Sequence, residues 1–176
     1  SLQDTLSEVA RLMITSGVGL LPVFTKDKFE GIVTDDAVIS GAVVGKWGNT
    51  KVEDVMTKRP FLIEQDESVG AVLSLFREHG ISHVPVVKDG TLVGIVSNQN
   101  IITSIFQPRQ RQTVGAIGGE KTPVLSIPVK GIMTKPVITV LPENTLKDAV
   151  KKMQQFDITS VVVITKGRPS GILTKR

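Results

Sequence analysis

The chain has 176 residues, 40% of them hydrophobic, a formal net charge of +4 and no cysteine. The lack of cysteine excludes a disulfide framework, a thiolate nucleophile and a cysteine metal site, and it fits a reducing cytoplasm, where we expect the protein to work. Because no apolar run approaches the roughly 18 residues of a membrane span and the basic excess is mild, we expect a soluble chain with no membrane or nucleic-acid partner, although an anionic ligand is permitted.

The first predicted unit covers residues 1–46. Residues 1–13 carry one apolar face at helical spacing, made of Leu2, Leu6, Val9, Ala10 and Met13. A hairpin follows over residues 19–34, and Asp35 and Asp36 then begin a closing helix, whose N-terminus favours acidic side chains. The strand that opens the later units is missing from this one.

The second predicted unit, residues 51–106, is complete. It begins with a strand over residues 59–63, and Ser68 then caps a helix that ends near Gly80. Two apolar runs flank the turn residues 88–90 and predict a β-hairpin, after which a closing helix begins. The order is therefore strand, helix, strand, strand, helix.

Residues 107–128 are rich in Pro, Gly and Gln and are predicted to be a linker. The third predicted unit, residues 129–176, has a strand over 137–140, a helix over 145–156 and a hairpin up to residue 174. It stops before its closing helix.

The three units are copies of one repeat. A constant shift of 63 residues relates copies one and two, and a constant shift of 77 relates copies two and three. The matched positions are Pro22, Gly31 and Thr34 in copy one, Pro85, Gly94 and Ser97 in copy two, and Val162, Gly171 and Thr174 in copy three. A copy of about 50 residues is small for a core of its own, so we predict that copies pair, with copies one and two packing sheet against sheet.

Copies two and three each open on a similar hexapeptide, which we call the lead segment. It reads Val-Glu-Asp-Val-Met-Thr at residues 52–57 and Val-Lys-Gly-Ile-Met-Thr at residues 129–134. With the hairpin pattern, these residues resemble the cystathionine β-synthase (CBS) domain family. The resemblance implies an α/β fold of tandem repeats paired around a pseudo-twofold axis. It also implies a fourth copy in the intact protein and a homodimer, for which we predict helix faces containing Leu6, Val9, Met13, Val72, Leu75 and Phe76.

The function implied by the resemblance is a non-catalytic regulatory sensor that requires no cofactor. It would bind an adenosine-containing ligand, AMP, ADP, ATP or S-adenosylmethionine, in clefts between copies, and it would act on an unidentified regulated protein. The sequence itself offers neither a nucleophile–base pair nor metal-ligand spacing. The implied nucleotide-binding residues are Thr34, Asp36, Arg59, Pro60, His83, Pro85, Ser97, Asn100, Pro136, Val137, Thr174, Lys175 and Arg176.

The chain departs from the family pattern at the position of the ribose-binding aspartate, which is Ala37 in copy one and Asn100 in copy two. If copies one and two bind a nucleotide, we predict that His83 meets its phosphate in a site with Thr34 and Asp36; the other interpretation of His83 is a partly buried polar residue on a strand. The alternative function is a structural dimerisation or protein-docking module whose ligand sites have degenerated.

Overall fold

The computed structural model describes residues 4–45, 47–106 and 124–175. Single turns of 3-10 helix lie at Val124–Ser126 and Val129–Gly131. The other elements are α1 (Leu6–Ser16), β1 (Leu20–Thr25), β2 (Lys28–Thr34), α2 (Asp35–Val44), α3 (Val52–Val55), β3 (Thr57–Lys58), β4 (Ile63–Glu64), α4 (Val69–His79), β5 (His83–Lys88), β6 (Thr91–Ser97), α5 (Asn98–Phe106), β7 (Thr139–Val140), α6 (Leu146–Gln155), β8 (Ser160–Thr165) and β9 (Arg168–Thr174).

The predicted order of elements is confirmed, with corrected bounds. The first helix begins at Leu6 because Thr5 and Glu8 form a reciprocal capping box, which fixes the start of the helix. The strand predicted over residues 59–63 is shorter in the structure, where it is β4 and covers only Ile63 and Glu64. Arg59 has a positive φ of 52° and Pro60 has no N–H, so a regular ladder cannot form there.

The hairpins form the framework of each copy. In copy two, Asp89 and Gly90 have φ values of 51° and 76°, as a two-residue turn between twisted strands requires. Copies one and two share a register, with Pro22 opposite Ile32 and Pro85 opposite Ile95. The sheets have the strand orders β1-β2, β4-β5-β6 and β3-β9-β8-β7.

The chain divides into two compact units. Unit 1 contains the described parts of Ser1–Met56, Leu141–Val161 and Leu173–Arg176, and unit 2 contains those of Thr57–Val140 and Val162–Ile172. Copy three therefore contributes to both units.

Unit 2 has a core built on copy two. Val72 and Phe76 of α4 are buried with the hairpin residues Val84, Val86 and Val96. Ile127, near the end of the predicted linker, and Val129, the first residue of copy three, belong to the same core. The homodimer face that we predicted around Val72 and Phe76 is wrong, because the sheet and copy three already cover these side chains.

Unit 1 contains α1, the β1-β2 hairpin and α2 of copy one, together with α6 of copy three. Helix α2 contacts both α1 and α6, and the amide Nε2 of Gln154 donates to Oγ of Ser40 at 2.7 Å. Met13 is buried in this unit, which removes it from the predicted dimer face, whereas Phe29 and Ile32 on β2 are each 57% exposed.

Candidate functional site

The lead segments of copies two and three are exchanged. In unit 2, the N–H of Thr134 donates to the carbonyl of Ile95 at 2.9 Å, and the N–H of Ile95 donates back at 3.3 Å. The counterpart is the antiparallel pairing of Thr57 with Ile172. The shift of 77 residues relates both pairs, so each copy places its threonine on the last strand of the other copy.

The helical turns of the lead segments follow the same exchange. The N–H of Val52 donates to the carbonyl of Asn144 at 2.9 Å, and the N–H of Val129 donates to that of Glu67 at 2.7 Å. Both acceptors precede a helix of the other copy, so the unpaired N–H groups of each turn are satisfied there. We predicted this twofold pairing for copies one and two; the exchange joins copies two and three instead, because those two copies carry lead segments.

A polar cluster forms where the lead segment of copy three crosses the end of β6. Oδ1 of Asn100 accepts from the N–H and the hydroxyl of Ser97, each at 2.9 Å. Nδ2 of Asn100 donates to Oγ1 of Thr134 at 3.0 Å. Ser97 and Asn100 are half-buried and Thr134 is exposed, so the cluster borders solvent. It joins the two predicted site residues to one from copy three.

His83 lies beside this cluster as the first residue of β5, directly opposite Ser97 in the ladder. Its ring atom Nδ1 is 2.9 Å from the hydroxyl oxygen of Ser82. Burial lowers the pKa of the His83 imidazole below its usual value, because the charged ring loses hydration. Burial therefore favours the neutral form of the ring.

Met133 sits directly over Gly94 in the same part of unit 2. A Cβ atom added to Gly94 would overlap Sδ and Cγ of Met133. A glycine is required here because the lead segment passes closer to β6 than any side chain allows.

In unit 1, the predicted nucleotide-binding residues of copies one and three do not form a cluster like that of Ser97, Asn100 and Thr134. Thr34 caps α2 by accepting from the N–H of Ala37 at 3.3 Å. Nζ of Lys175 lies 2.6 Å from Oδ1 of Asp36, with the Lys175 side chain only 11% exposed. Thr174, at the end of β9, is half-buried. Asp36 and Lys175 are thus paired with each other, and His83 belongs to the other unit.

The remaining predicted residues lie in unit 2, apart from Arg176, which is outside the described residues. Arg59 is exposed, and its N–H donates to the carbonyl of Ser170 at 3.2 Å. Pro85 is buried and Pro60 is half-buried. Pro136, which follows a cis peptide bond, is exposed, and Val137 is half-buried.

Sequence reasoning missed Thr134 and Met133 as parts of the site. Their signal was present in the repeated Met-Thr pair, which we used to recognise the repeat but not to place its side chains. The exchange of lead segments brings Thr134 and Met133 of copy three against strand β6 of copy two.

The described residues contain neither a cluster of metal ligands nor a helix that could span a membrane. Across residues 4–45, 47–106 and 124–175, no group of three or more His, Cys, Asp or Glu side chains could hold a metal ion. In that same part of the chain, every helix is too short or too polar to cross a bilayer.

Comparison with known proteins identifies the family. The sequence profile of the CBS domain matches residues 1–43, 52–107 and 129–176. Protein MJ1404 of Methanocaldococcus jannaschii is 34% identical over 166 residues, which are 93% of this chain and 39% of that protein. The chain thus spans well under half the length of this relative.

Solved structures have the same fold. Protein MJ1225 of Methanocaldococcus jannaschii matches 98% of this chain and 62% of its own, with a TM-score of 0.77 and 23% identity. The CBS domain pair of protein MJ0100, solved with 5′-methylthioadenosine and S-adenosyl-L-methionine, matches 72% of this chain and 90% of its own, with a TM-score of 0.59 and 26% identity. With three matched repeats and the paired fold, this chain belongs to the CBS domain family.

Proposed function

We propose that the chain is a non-catalytic regulatory module whose copies two and three together bind an adenosine-containing ligand. The proposal is supported by the similarity to the MJ0100 pair, which holds two such ligands in its solved structure. AMP, ADP, ATP and S-adenosylmethionine are the candidate ligands. Ligand binding would change the action of a regulated protein partner, and the chain would need no cofactor of its own.

The observation that carries this proposal is the cluster of Ser97, Asn100 and Thr134. These side chains supply hydroxyl, amide and carbonyl groups at the N-terminus of α5, beside solvent. A ribose offers two adjacent hydroxyls, which need both donors and acceptors. Because copies two and three both contribute, a ligand at this cluster would stabilise their pairing.

Asn100 sets the strength of ribose binding in this proposal. Its amide oxygen already accepts two hydrogen bonds from Ser97, so a ribose hydroxyl competes with a bond inside the protein. A carboxylate at this position would have a second oxygen for the ribose and would form charge-assisted bonds, which are roughly twice as strong. We therefore expect a weaker ribose contact here than an aspartate would give.

For a ligand with a phosphate, we place the phosphate near His83, with Arg59 as a second candidate. An anion beside the imidazole raises its pKa in the complex, so the affinity for AMP should increase as pH falls towards the His range near 6.5. His83→Ala should cost about 1.5–3 kcal/mol of AMP binding if the bond is charge-assisted, and it should remove the pH dependence. The affinity for 5′-methylthioadenosine, which has no phosphate, should change with neither pH nor the substitution.

Calorimetric titration of the chain with each candidate ligand tests the proposal, with guanosine monophosphate as the control. A ligand at about 100 times its Kd should also stabilise the chain by about 2.7 kcal/mol against unfolding. Asn100→Asp should tighten binding of 5′-methylthioadenosine about tenfold, and Asn100→Ala should weaken it. Asn98→Ala, a change at an exposed residue of the same helical turn, is the matched control. The proposal fails if no adenosine compound binds, or if Asn100→Ala and Asn98→Ala bind alike.

The second candidate function is a structural or docking module with degenerate ligand sites. The observation that favours it is the Asn100 side chain, whose hydrogen bonds cap α5 and link copies two and three without a ligand. This function predicts that Asn100→Ala lowers the unfolding free energy by about 1–3 kcal/mol while no adenosine compound changes the melting curve. The homodimer remains a prediction, which sedimentation over the micromolar range would test.

A further inference from the structure

The side-chain amide of Asn100 has a fixed orientation in the cluster of Ser97, Asn100 and Thr134. The amide atom that lies 2.9 Å from the backbone N–H of Ser97 must be an acceptor, because a backbone N–H can only donate. That atom is therefore the oxygen Oδ1, and the nitrogen Nδ2 faces Thr134, to whose Oγ1 it donates at 3.0 Å. A half-turn of the amide would set its NH₂ group against the N–H of Ser97, so this orientation is the stable one.

The hydrogen-bonding capacity that the cluster leaves for a ligand consists mainly of donors. Oδ1 of Asn100 accepts from the N–H and from the hydroxyl of Ser97, which uses both of its lone pairs. Nδ2 of Asn100 carries a second N–H, and the hydroxyl of Thr134, which accepts from Nδ2, still has its own proton to donate. No partner within the described part of the chain takes either proton. Asn100 is half-buried and Thr134 is exposed, so a ligand can reach both donors.

The charges along the two segments that form the cluster favour an anion. Residues 95–100 and 132–137 contain no acidic side chain, and Lys135, which directly follows Thr134, is exposed. The equivalent turn of copy one differs, because α2 begins there with Asp35 and Asp36. An anion bound at the cluster would therefore meet a lysine and no carboxylate from these two segments.

We propose that the ligand of this site is an adenosine that carries a phosphate on the 2′ or the 3′ oxygen of its ribose. The inference rests on the proposed function, because it concerns the same cluster. The phosphate oxygens accept from Nδ2 of Asn100 and from the hydroxyl of Thr134, and Lys135 supplies a positive charge. In dinucleotide-binding folds, similarly, an acidic side chain holds a free ribose hydroxyl, and a basic side chain accommodates a ribose phosphate.

Asn100 is the residue that selects between a phosphorylated and a free ribose. An aspartate at this position would keep one oxygen on Ser97 and turn the other towards Thr134, whose hydroxyl would then donate to it. Both side chains would present lone pairs to the ligand instead of protons. The aspartate variant should therefore prefer free ribose hydroxyls, which have protons to donate, and should repel a phosphate.

Calorimetric titration of the whole chain with the 2′-, 3′- and 5′-monophosphates of adenosine tests the inference. These isomers have the same composition and formal charge, so a difference in affinity reports the position of the phosphate. At least one of the 2′ and 3′ isomers should bind about tenfold more tightly than the 5′ isomer and than adenosine. Asn100→Asp should weaken that isomer at least about tenfold, while it tightens binding of 5′-methylthioadenosine. Asn98→Asp, which adds the same charge at an exposed residue of the same helical turn, should preserve the order of the isomers.

Two variants of Thr134 test the second donor. Thr134→Val should weaken the preferred isomer about tenfold, and Thr134→Ser, which keeps the hydroxyl, should retain most of the affinity. Melting curves establish that the variants fold.

The inference is overturned, and the proposed function stands, if 5′-methylthioadenosine or the 5′ isomer binds and neither the 2′ nor the 3′ isomer binds more tightly. It is also overturned if Asn100→Asp and Asn98→Asp weaken the preferred isomer equally. If no adenosine compound binds, the inference and the proposed function fail together.

Discussion

At the level of single residues, His83 combines partial burial with a titratable ring. Burial lowers its pKa, so between the unfolded value near 6.5 and the lower folded value the unfolded chain binds more protons than the folded one. This linkage makes the folded state less stable as pH falls through that window.

We therefore predict that the unfolding free energy falls between pH 7.5 and pH 5.5 and that His83→Gln removes part of this fall. Urea unfolding at the two pH values measures it. Equal slopes for His83→Gln and the unaltered chain would contradict the prediction.

Gly94 gives a second prediction at this scale. Gly94→Ala should lower the unfolding free energy by about 1–3 kcal/mol, because the new methyl group overlaps Met133 and the lead segment must move. Met133→Ala should reduce that cost when it is combined with Gly94→Ala, since it removes the overlapping atoms. A double variant whose two costs simply add would show that the methionine is not the cause.

At the level of secondary-structure elements, a capping box formed by Thr145 and Asp148 fixes the start of α6. The hydroxyl of Thr145 donates to Oδ2 of Asp148 at 2.7 Å, and the N–H of Asp148 donates back at 3.2 Å. These bonds from Thr145 lower the pKa of the Asp148 carboxyl. The stability that these bonds give the folded state is fully present at pH values above the usual pKa of a carboxyl group. It is lost as the pH falls through the lower pKa that Asp148 has in the folded protein.

Thr145→Ala should accordingly lower the unfolding free energy by about 1 kcal/mol at pH 7, with a smaller effect at pH 3. Thr145→Ser, which keeps the hydroxyl, should restore most of the loss. Chemical unfolding at the two pH values measures both variants, and an alanine effect that is the same at pH 3 would argue against the cap.

The sequence predicted most of the elements because their signals are local. Apolar spacing, the cap at Ser68 and the turn at Asp89-Gly90 act over a few residues, and the structure follows them. The partner of each lead segment could not be predicted, because Thr134 and Ile95 meet across a long chain separation that no periodicity reveals. Among the site residues, Asn100 was found from its place in the repeat, while its bond to Thr134 required the coordinates.

At the level of the whole molecule, copies two and three depend on one another. Ile127 from the end of the predicted linker and Val129 from copy three complete the core of copy two. A chain that ends at residue 123 should therefore lose the cooperative melting of copy two, which circular dichroism would follow.

A peptide of residues 124–136 should restore part of that transition, and a peptide with Val129→Asp should not. If the shortened chain melts as cooperatively as the full chain, copy two is an independent folding unit and the exchange contributes little to its stability.

The exchanged lead segments also constrain the order of events during synthesis. Thr134 lies 37 positions after Ser97, so the β6 edge emerges from the ribosome before the segment that covers it emerges. At about 5–20 residues per second, translation leaves that edge uncovered for roughly 2–7 s. A nascent chain at this stage exposes a free strand edge and an incomplete core, which are the features that chaperones bind and that drive aggregation. Slowing translation while the chain between Ser97 and Thr134 emerges from the ribosome should therefore lower the yield of folded protein more than slowing it once Thr134 has emerged.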